Sequence, residues 1–260
     1  MFHEPPKNFL YSSYRVDAKH TDSSGTSKEG IATGFVVEGR AGEAWFITNR
    51  HVVDLDYRQA TAKFKDFQLA EFSITGRRSD DSIYTFSLHP SARMFFHDDE
   101  ENDVVVIEPH CVWEGVPENQ RSLHWHFGKE HLADESVFKE SLQPFDVVCY
   151  AGFPDQHDKL GNRPILRSGH IASDPRYDYS WDSKARGQCV AYEGFSLSGS
   201  SGSPVFAPPR GTTTMPNSRH GFLVGINAGH LPNHPSGHSG ISYFYKSTVI
   251  TEIFARNGLA

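Results

Sequence analysis

The chain is written in short apolar runs separated by polar breaks. In the first half the runs fall at 34–38, 44–48, 60–74, 83–88 and 104–108. In the second half they fall at 145–151, 165–172, 188–192, 204–207, 222–227 and 241–245. Runs of this length, rich in Val, Ile, Phe and Tyr and punctuated by Gly, Pro, Asp and Asn, predict β-strands. About a dozen strands with no amphipathic helices between them predict barrels or a sandwich, not a parallel α/β sheet. One helix is predicted, over 247–256, where Val249, Ile250, Ile253 and Phe254 share a face and Asn257-Gly258 supplies a stop. The stretch 111–143 is polar, rich in His and Glu and weakly periodic, and reads as a long connection with a short helix. The chain contains neither an internal repeat nor a low-complexity tract.

Composition narrows the class. At 260 residues, 37% hydrophobic and 22% charged, the chain has the balance of a globular protein large enough for a sizeable core. No apolar run approaches the length of a membrane-spanning helix. The start, Met1 to Asn8, lacks a basic segment followed by an apolar one, so no signal peptide is expected. Three cysteines, Cys111, Cys149 and Cys189, suit a reducing compartment better than a disulfide framework. The expected location is therefore cytoplasmic. A formal net charge of −7 argues against general nucleic-acid binding, which needs clustered Lys and Arg.

Chemistry concentrates at three places. The segment Ser198-Gly199-Ser200-Ser201-Gly202-Ser203-Pro204 reads either as a flexible Ser/Gly loop or as a tight turn exposing a serine hydroxyl. In the second reading the glycines let the N–H groups of Gly199 and Ser201 converge as an oxyanion hole. A serine needs an adjacent base to become a nucleophile. The candidate base is His51, in Trp45-Phe46-Ile47-Thr48-Asn49-Arg50-His51-Val52-Val53, where an apolar strand ends in a polar turn. The candidate partner of that base is Asp103, in Asn102-Asp103-Val104-Val105-Val106, at the lip of an apolar strand. Taken singly, the histidine also reads as structural and the aspartate as a turn residue.

Together these segments resemble the trypsin-like serine peptidases, most closely the bacterial HtrA-type and glutamyl-endopeptidase branches. Gly34-Phe35-Val36-Val37 and Phe46-Ile47-Thr48-Asn49-Arg50-His51 look like their first barrel. Asn102-Asp103-Val104-Val105 resembles their aspartate strand, and Gly199-Ser200-Ser201-Gly202-Ser203-Pro204 their nucleophile turn. Tyr150-Ala151-Gly152-Phe153-Pro154, Leu223-Val224-Gly225-Ile226-Asn227 and the last helix extend the likeness over roughly 30–256. The order His, Asp, Ser is the order of that family. The resemblance implies an all-β fold of two six-stranded antiparallel barrels and a C-terminal helix, forming a single peptidase domain. Its parts would be a first barrel over 1–110, the connection over 111–143, a second barrel over 144–246 and the helix over 247–257. It further implies a serine endopeptidase with His51, Asp103 and Ser201 in a cleft between the barrels, an extended polypeptide substrate, and no cofactor or metal. A trypsin-like binding or scaffold module without turnover is the alternative.

The departures are informative. Ser200 stands where zymogen-type trypsins place the aspartate that pairs with a freed N-terminus, and no Ile-Val-Gly-Gly-like site is present. Regulation is therefore expected through loops or through a regulatory or sensor protein. The residue at the position of trypsin's pocket aspartate falls near Phe195, so preference for Arg or Lys is not expected. Ser196, Asn227 and His230 are instead the expected lining of the pocket for the side chain before the scissile bond.

Other signals carry less. His124-Trp125-His126 and the series His230, His234, His238 suggest metal ligands, but Pro232, Pro235 and Gly237 keep the series off one helical face. The acidic run 97–102 lacks the spacing of a calcium loop. Gly194-Phe195-Ser196-Leu197-Ser198 lacks the final glycine of the α/β-hydrolase elbow.

Overall fold

A computed structural model describes residues 9–39, 42–59, 61–108, 110–211, 219–231 and 239–259. His234 and His238, Pro232, Pro235 and Gly237, and the 1–8 start lie outside the described residues.

The first half contains β1 (Ser13–Thr21), β2 (Ser27–Glu38), β3 (Ala44–Thr48), β4 (Gln68–Arg77), β5 (Ile83–Leu88), β6 (Met94–Phe96), β7 (Val105–Ile107) and β8 (Cys111–Val112). They form one curled antiparallel sheet in the order β6-β7-β3-β2-β1-β4-β5-β8. The second half contains β9 (Val147–Gly152), β10 (Ile165–Ile171), β11 (Cys189–Glu193), β12 (Pro204–Ala207), β13 (Phe222–His230) and β14 (Ile241–Lys246). These close into a barrel in the order β10-β11-β14-β13-β12-β9. The six-stranded barrel is thus complete in the second half, while the first half curls without closing. Its two edge strands, β6 and β8, are 3 and 2 residues long and stand at opposite ends of the sheet order.

Alternation explains β1, which the apolar-run reading passed over. Tyr14, Val16, Ala18 and His20 are buried while Arg15, Asp17 and Lys19 face outward, a half-buried pattern that contains no apolar run at all. The strand expected over 60–74 starts instead at Gln68, because Ala62–Phe64 is a 3₁₀ turn. In the connection, Val137–Ser141 forms a single π-helical turn that buries Phe138. The last helix, Ser247–Asn257, packs Val249, Ile250, Ile253 and Phe254 inward as its periodicity predicts.

Three cores result. Tyr14, Val16, Val36, Phe46, Ile74 and Val105 fill the curled sheet. Val148, Tyr150, Val190, Tyr192, Val205 and Phe244 fill the barrel. Between them Phe35, Ile47, Val104, Val106, Ile226 and Phe254 weld the two halves and the last helix together. β7 therefore feeds two cores from its opposite faces, and this is why its sequence is continuously apolar. Each such valine or isoleucine contributes about 1.5–3 kcal/mol of burial free energy. The weld fixes the relation of any site shared by the two halves. Among the described residues no helix is long and apolar enough to cross a membrane.

Candidate active site

His51 sits on α1 (Arg50–Val53), a single helical turn that begins directly where β3 ends. Val52 and Val53 are buried and anchor the turn. Asn49, fully buried at its start, donates from Nδ2 to the Asp103 carbonyl at 2.7 Å. Asp103 lies at the entry to β7 and grips the histidine twice. Its Oδ1 accepts the His51 backbone N–H at 2.9 Å, and its Oδ2 faces His51 Nδ1 at 2.6 Å. A carboxylate can only accept, so the ring proton belongs on Nδ1 and Nε2 is left as the basic nitrogen. Desolvation lowers the affinity of the ring for a proton, but the Asp103 charge and hydrogen bond together outweigh it. The net result is a His51 pKa above its ordinary 6.5. The Asp103 side chain is only 9% exposed, and its charge in turn holds nearby buried phenols neutral. Burial first, and Asp103 second, push Tyr243 up to about 12 and raise Tyr57 and Tyr245 as well.

Ser201 comes from the other half, on the turn that leads into β12. The turn is closed by Ser200 N–H to the Leu197 carbonyl (2.9 Å) and Ser203 N–H to the Ser200 carbonyl (3.1 Å). It is tied to β13 by Gly202 N–H to the Asn227 carbonyl and Asn227 N–H to the Ser203 carbonyl. Gly199 and Gly202 have φ of 88° and 85°. A Cβ on Gly199 would meet the Phe153 carbonyl at 2.3 Å, and one on Gly202 the Thr33 carbonyl at 1.9 Å. Both conformation and space therefore demand glycine. Among the described residues the N–H groups of Gly199 and Ser201 have no hydrogen-bond acceptor, so both remain available to an incoming oxygen.

One residue that the sequence reading missed bridges the halves. Thr33 of β2 donates its N–H to the Ser201 carbonyl (2.8 Å) and its hydroxyl to the Gly199 carbonyl (2.8 Å), and accepts from Phe153 N–H (2.9 Å). Thr33 is fully buried just ahead of the apolar run at 34–38, and nothing in the neighbouring sequence points to its distant partners. Asn49 was missed as well, hidden between Thr48 and Arg50 in a polar turn.

The three residues singled out by sequence thus come to one place. His51, Ser201 and Gly199 share a cleft of about 420 Å³ whose far wall is β1 and β2, and Asp103 stands behind His51. The Ser201 hydroxyl hydrogen-bonds the Ala228 carbonyl at 3.4 Å. Of the expected pocket residues, Ser196 and Asn227 meet: Asn227 Nδ2 donates to Ser196 Oγ at 2.9 Å and to the Ser200 carbonyl at 2.9 Å. Asn227 Oδ1 accepts from the Tyr192 hydroxyl at 2.8 Å, so this buried amide is committed to holding the floor of the turn. His230 is exposed at the end of β13, opposite Ser242 in the ladder.

The remaining sequence signals also have places. Two carboxylates of the acidic run form ion pairs, Glu101 with Arg58 and Asp98 with Arg256, and Asp99 accepts the Glu101 N–H. His126 faces Glu38 at 3.5 Å. The three cysteines are free, and burial pushes each thiol up to about 12.

Comparison with known proteins adds the following. Residues 32–212 match the family model of the trypsin-like peptidase domain. No curated protein matches the chain. Among solved structures, a thermostable serine protease, AL20, from an extremophilic microorganism superposes with a TM-score of 0.58 at 11% identity, covering 96% of this chain and 98% of its own. The protease Anisep from Arthrobacter nicotinovorans gives 0.58 at 11% identity, with 95% of each chain covered. Deg5 gives 0.52 at 13% identity, covering 95% of this chain and 88% of its own. At these identities the superpositions speak to the fold.

Proposed function

The chain belongs to the trypsin-like peptidase domain family, and on that premise we propose that it is a serine endopeptidase acting on polypeptides through an acyl-enzyme. The observation that carries the reading is the two-point grip of Asp103 on His51, which leaves a basic Nε2 on the cleft shared with Ser201. In this reading Ser201 rotates its hydroxyl from the Ala228 carbonyl toward His51 and attacks the substrate carbonyl carbon. His51 takes the Ser201 proton, and Asp103 stabilises the imidazolium that forms. The negative charge on the former carbonyl oxygen is met by the N–H groups of Gly199 and Ser201. Collapse breaks the peptide bond as His51 gives its proton to the leaving amine. Water then attacks the acyl-Ser201 ester with His51 again as base, and the carboxylic acid product leaves.

Ser196 and the loop around it would line the pocket for the side chain before the scissile bond. Asn227 would shape that pocket from beneath, and His230 would flank its mouth. The free thiols fit the cytoplasmic location expected from sequence. Regulation by a sensor or partner protein remains part of the proposal, because Ser200 supplies no carboxylate for an N-terminal switch.

One observation favours the alternative of a silent binding module: the Ser201 hydroxyl is bonded to Ala228, not to His51. A cleavage-site profile on a denatured proteome separates the two. The endopeptidase reading expects new termini with a defined residue preference, all lost in Ser201→Ala. Equal cleavage by Ser201→Ala, or none by the parent protein, would contradict it.

A further inference from the structure

Outside the cleft, hydrogen bonds converge on Asn102, the residue before Asp103. Asn102 is 2% exposed. Its Oδ1 accepts the backbone N–H of Gln188, the residue just before β11, at 2.8 Å. A backbone N–H is an unambiguous donor, so the amide orientation is fixed and Nδ2 faces His97 Nδ1 at 3.0 Å. His97 Nδ1 also accepts the Asp99 N–H at 3.0 Å. Two donors on one ring nitrogen leave no room for a proton there, so the proton sits on Nε2, 2.7 Å from the Glu252 carboxylate of the last helix. The same Glu252 holds the Gln188 side chain at 3.0 Å.

We infer that His97 is a positioning residue: it holds Asn102, and through Asn102 the peptide that carries Asp103, so that the last helix and the second barrel together set the aspartate's grip on His51. The Asp103 segment is then clamped on both flanks, by Asn102 on one side and by Asn49 on its own carbonyl. A proton added to Nδ1 would evict both donors, since among the described residues its acceptor in reach is the Asp99 carbonyl at 3.3 Å. The charged groups that face His97 are Glu252 from the helix and the Asp98–Arg256 pair beside it; Gln188, from the barrel side, is neutral. This role rests on the peptidase reading only for its consequence in catalysis. The geometry itself concerns His51 and Asp103.

The test is the titration of His51 followed by NMR through its Nδ1 proton, in the full chain, alongside labelling of Ser201 by a fluorophosphonate. In folded His97→Ala the His51 midpoint should fall, because a loosened carboxylate stabilises the imidazolium less, and labelling should slow by about tenfold. His97→Asn, whose side-chain oxygen can accept where Nδ1 did and which does not titrate, should restore both. If His97→Ala does not fold, the half-exposed Glu252 carries the test: Glu252→Ala frees the His97 ring and should lower the His51 midpoint, whereas Glu252→Gln, which can still accept from Nε2, should not. An unshifted His51 midpoint in folded His97→Ala, or equal midpoints in Glu252→Ala and the parent protein, overturns the inference. A midpoint that falls in His97→Ala while the parent protein takes no label would sink the peptidase reading and leave the positioning role standing.

Discussion

The two sides of the cleft are built differently. The groups that touch His51 and Asp103 directly come from one sheet: β3, α1 and the start of β7 are adjacent, Asn49 and Asp103 close the contact, and the barrel and last helix reach it only through the neighbouring Asn102. The Ser201 side is not self-sufficient. Its turn is shaped by β13 below and by Thr33 from the opposite half above. Geometry held within one sheet resists changes elsewhere, whereas geometry held across an interface inherits every weakness of that interface.

The largest expected effects bear equally on both sides. Ser201→Ala and His51→Ala should each cut peptide hydrolysis by about three to six orders of magnitude, measured as kcat/KM on a cleaved peptide. Next comes the turn alone. Gly199→Ala imposes a Cβ on a backbone at φ 88° against the Phe153 carbonyl, so it should displace an oxyanion donor. A loss of about 10²–10³ in kcat is expected, with the His51 titration unchanged. The comparison itself is probed by a pair of smaller changes. Thr33→Val leaves the Gly199 carbonyl and the Phe153 N–H buried without their partner, and should cost about 1–3 kcal/mol in denaturant unfolding. It should lower kcat without moving the His51 midpoint. Asn49→Ala should do the reverse, shifting that midpoint while leaving fluorescence and near-UV signatures of the second barrel intact. If Thr33→Val moved the midpoint as much as Asn49→Ala does, the two sides would not be separately built.

The smallest effect is on stability against pH, and its sign follows from the raised His51 pKa. The Asp103 contact with protonated His51 stabilises the fold fully below the ordinary 6.5 and is lost as pH rises through the higher folded midpoint. Activity, which needs the neutral ring, should rise over that same window. A melting series across it, in the parent protein and Asp103→Asn, checks the sign: the parent loses a stability increment that the variant never had.

Legibility from sequence divides along the same line. His51, Asp103 and Ser201 each stand beside an apolar run, and that juxtaposition was readable. Most of the closed barrel was readable too, because β9, β11, β12 and β13 are largely buried on both faces and their runs are nearly continuous, β10 being the exception. β1 was not, since a half-buried strand with Arg15, Asp17 and Lys19 on its outer face presents alternation instead of a run. Thr33 and the amide of Asn227 do their work through contacts across 120 to 166 positions and 27 to 35 positions of chain. No local pattern announces such a partner. The short edge strands β6 and β8 and the open end of the first sheet were not readable either, since residue type alone does not determine where a strand stops pairing.

The central claim is that Ser201 is made nucleophilic by a His51 that Asp103 holds. It is tested most directly by mass-spectrometric mapping of fluorophosphonate adducts on the parent protein, His51→Ala and Asp103→Asn. A single adduct on Ser201 in the parent, slowed by orders of magnitude in both variants, is the predicted result. An unlabelled parent protein, or an adduct that forms on Ser201 equally fast without His51, would contradict it.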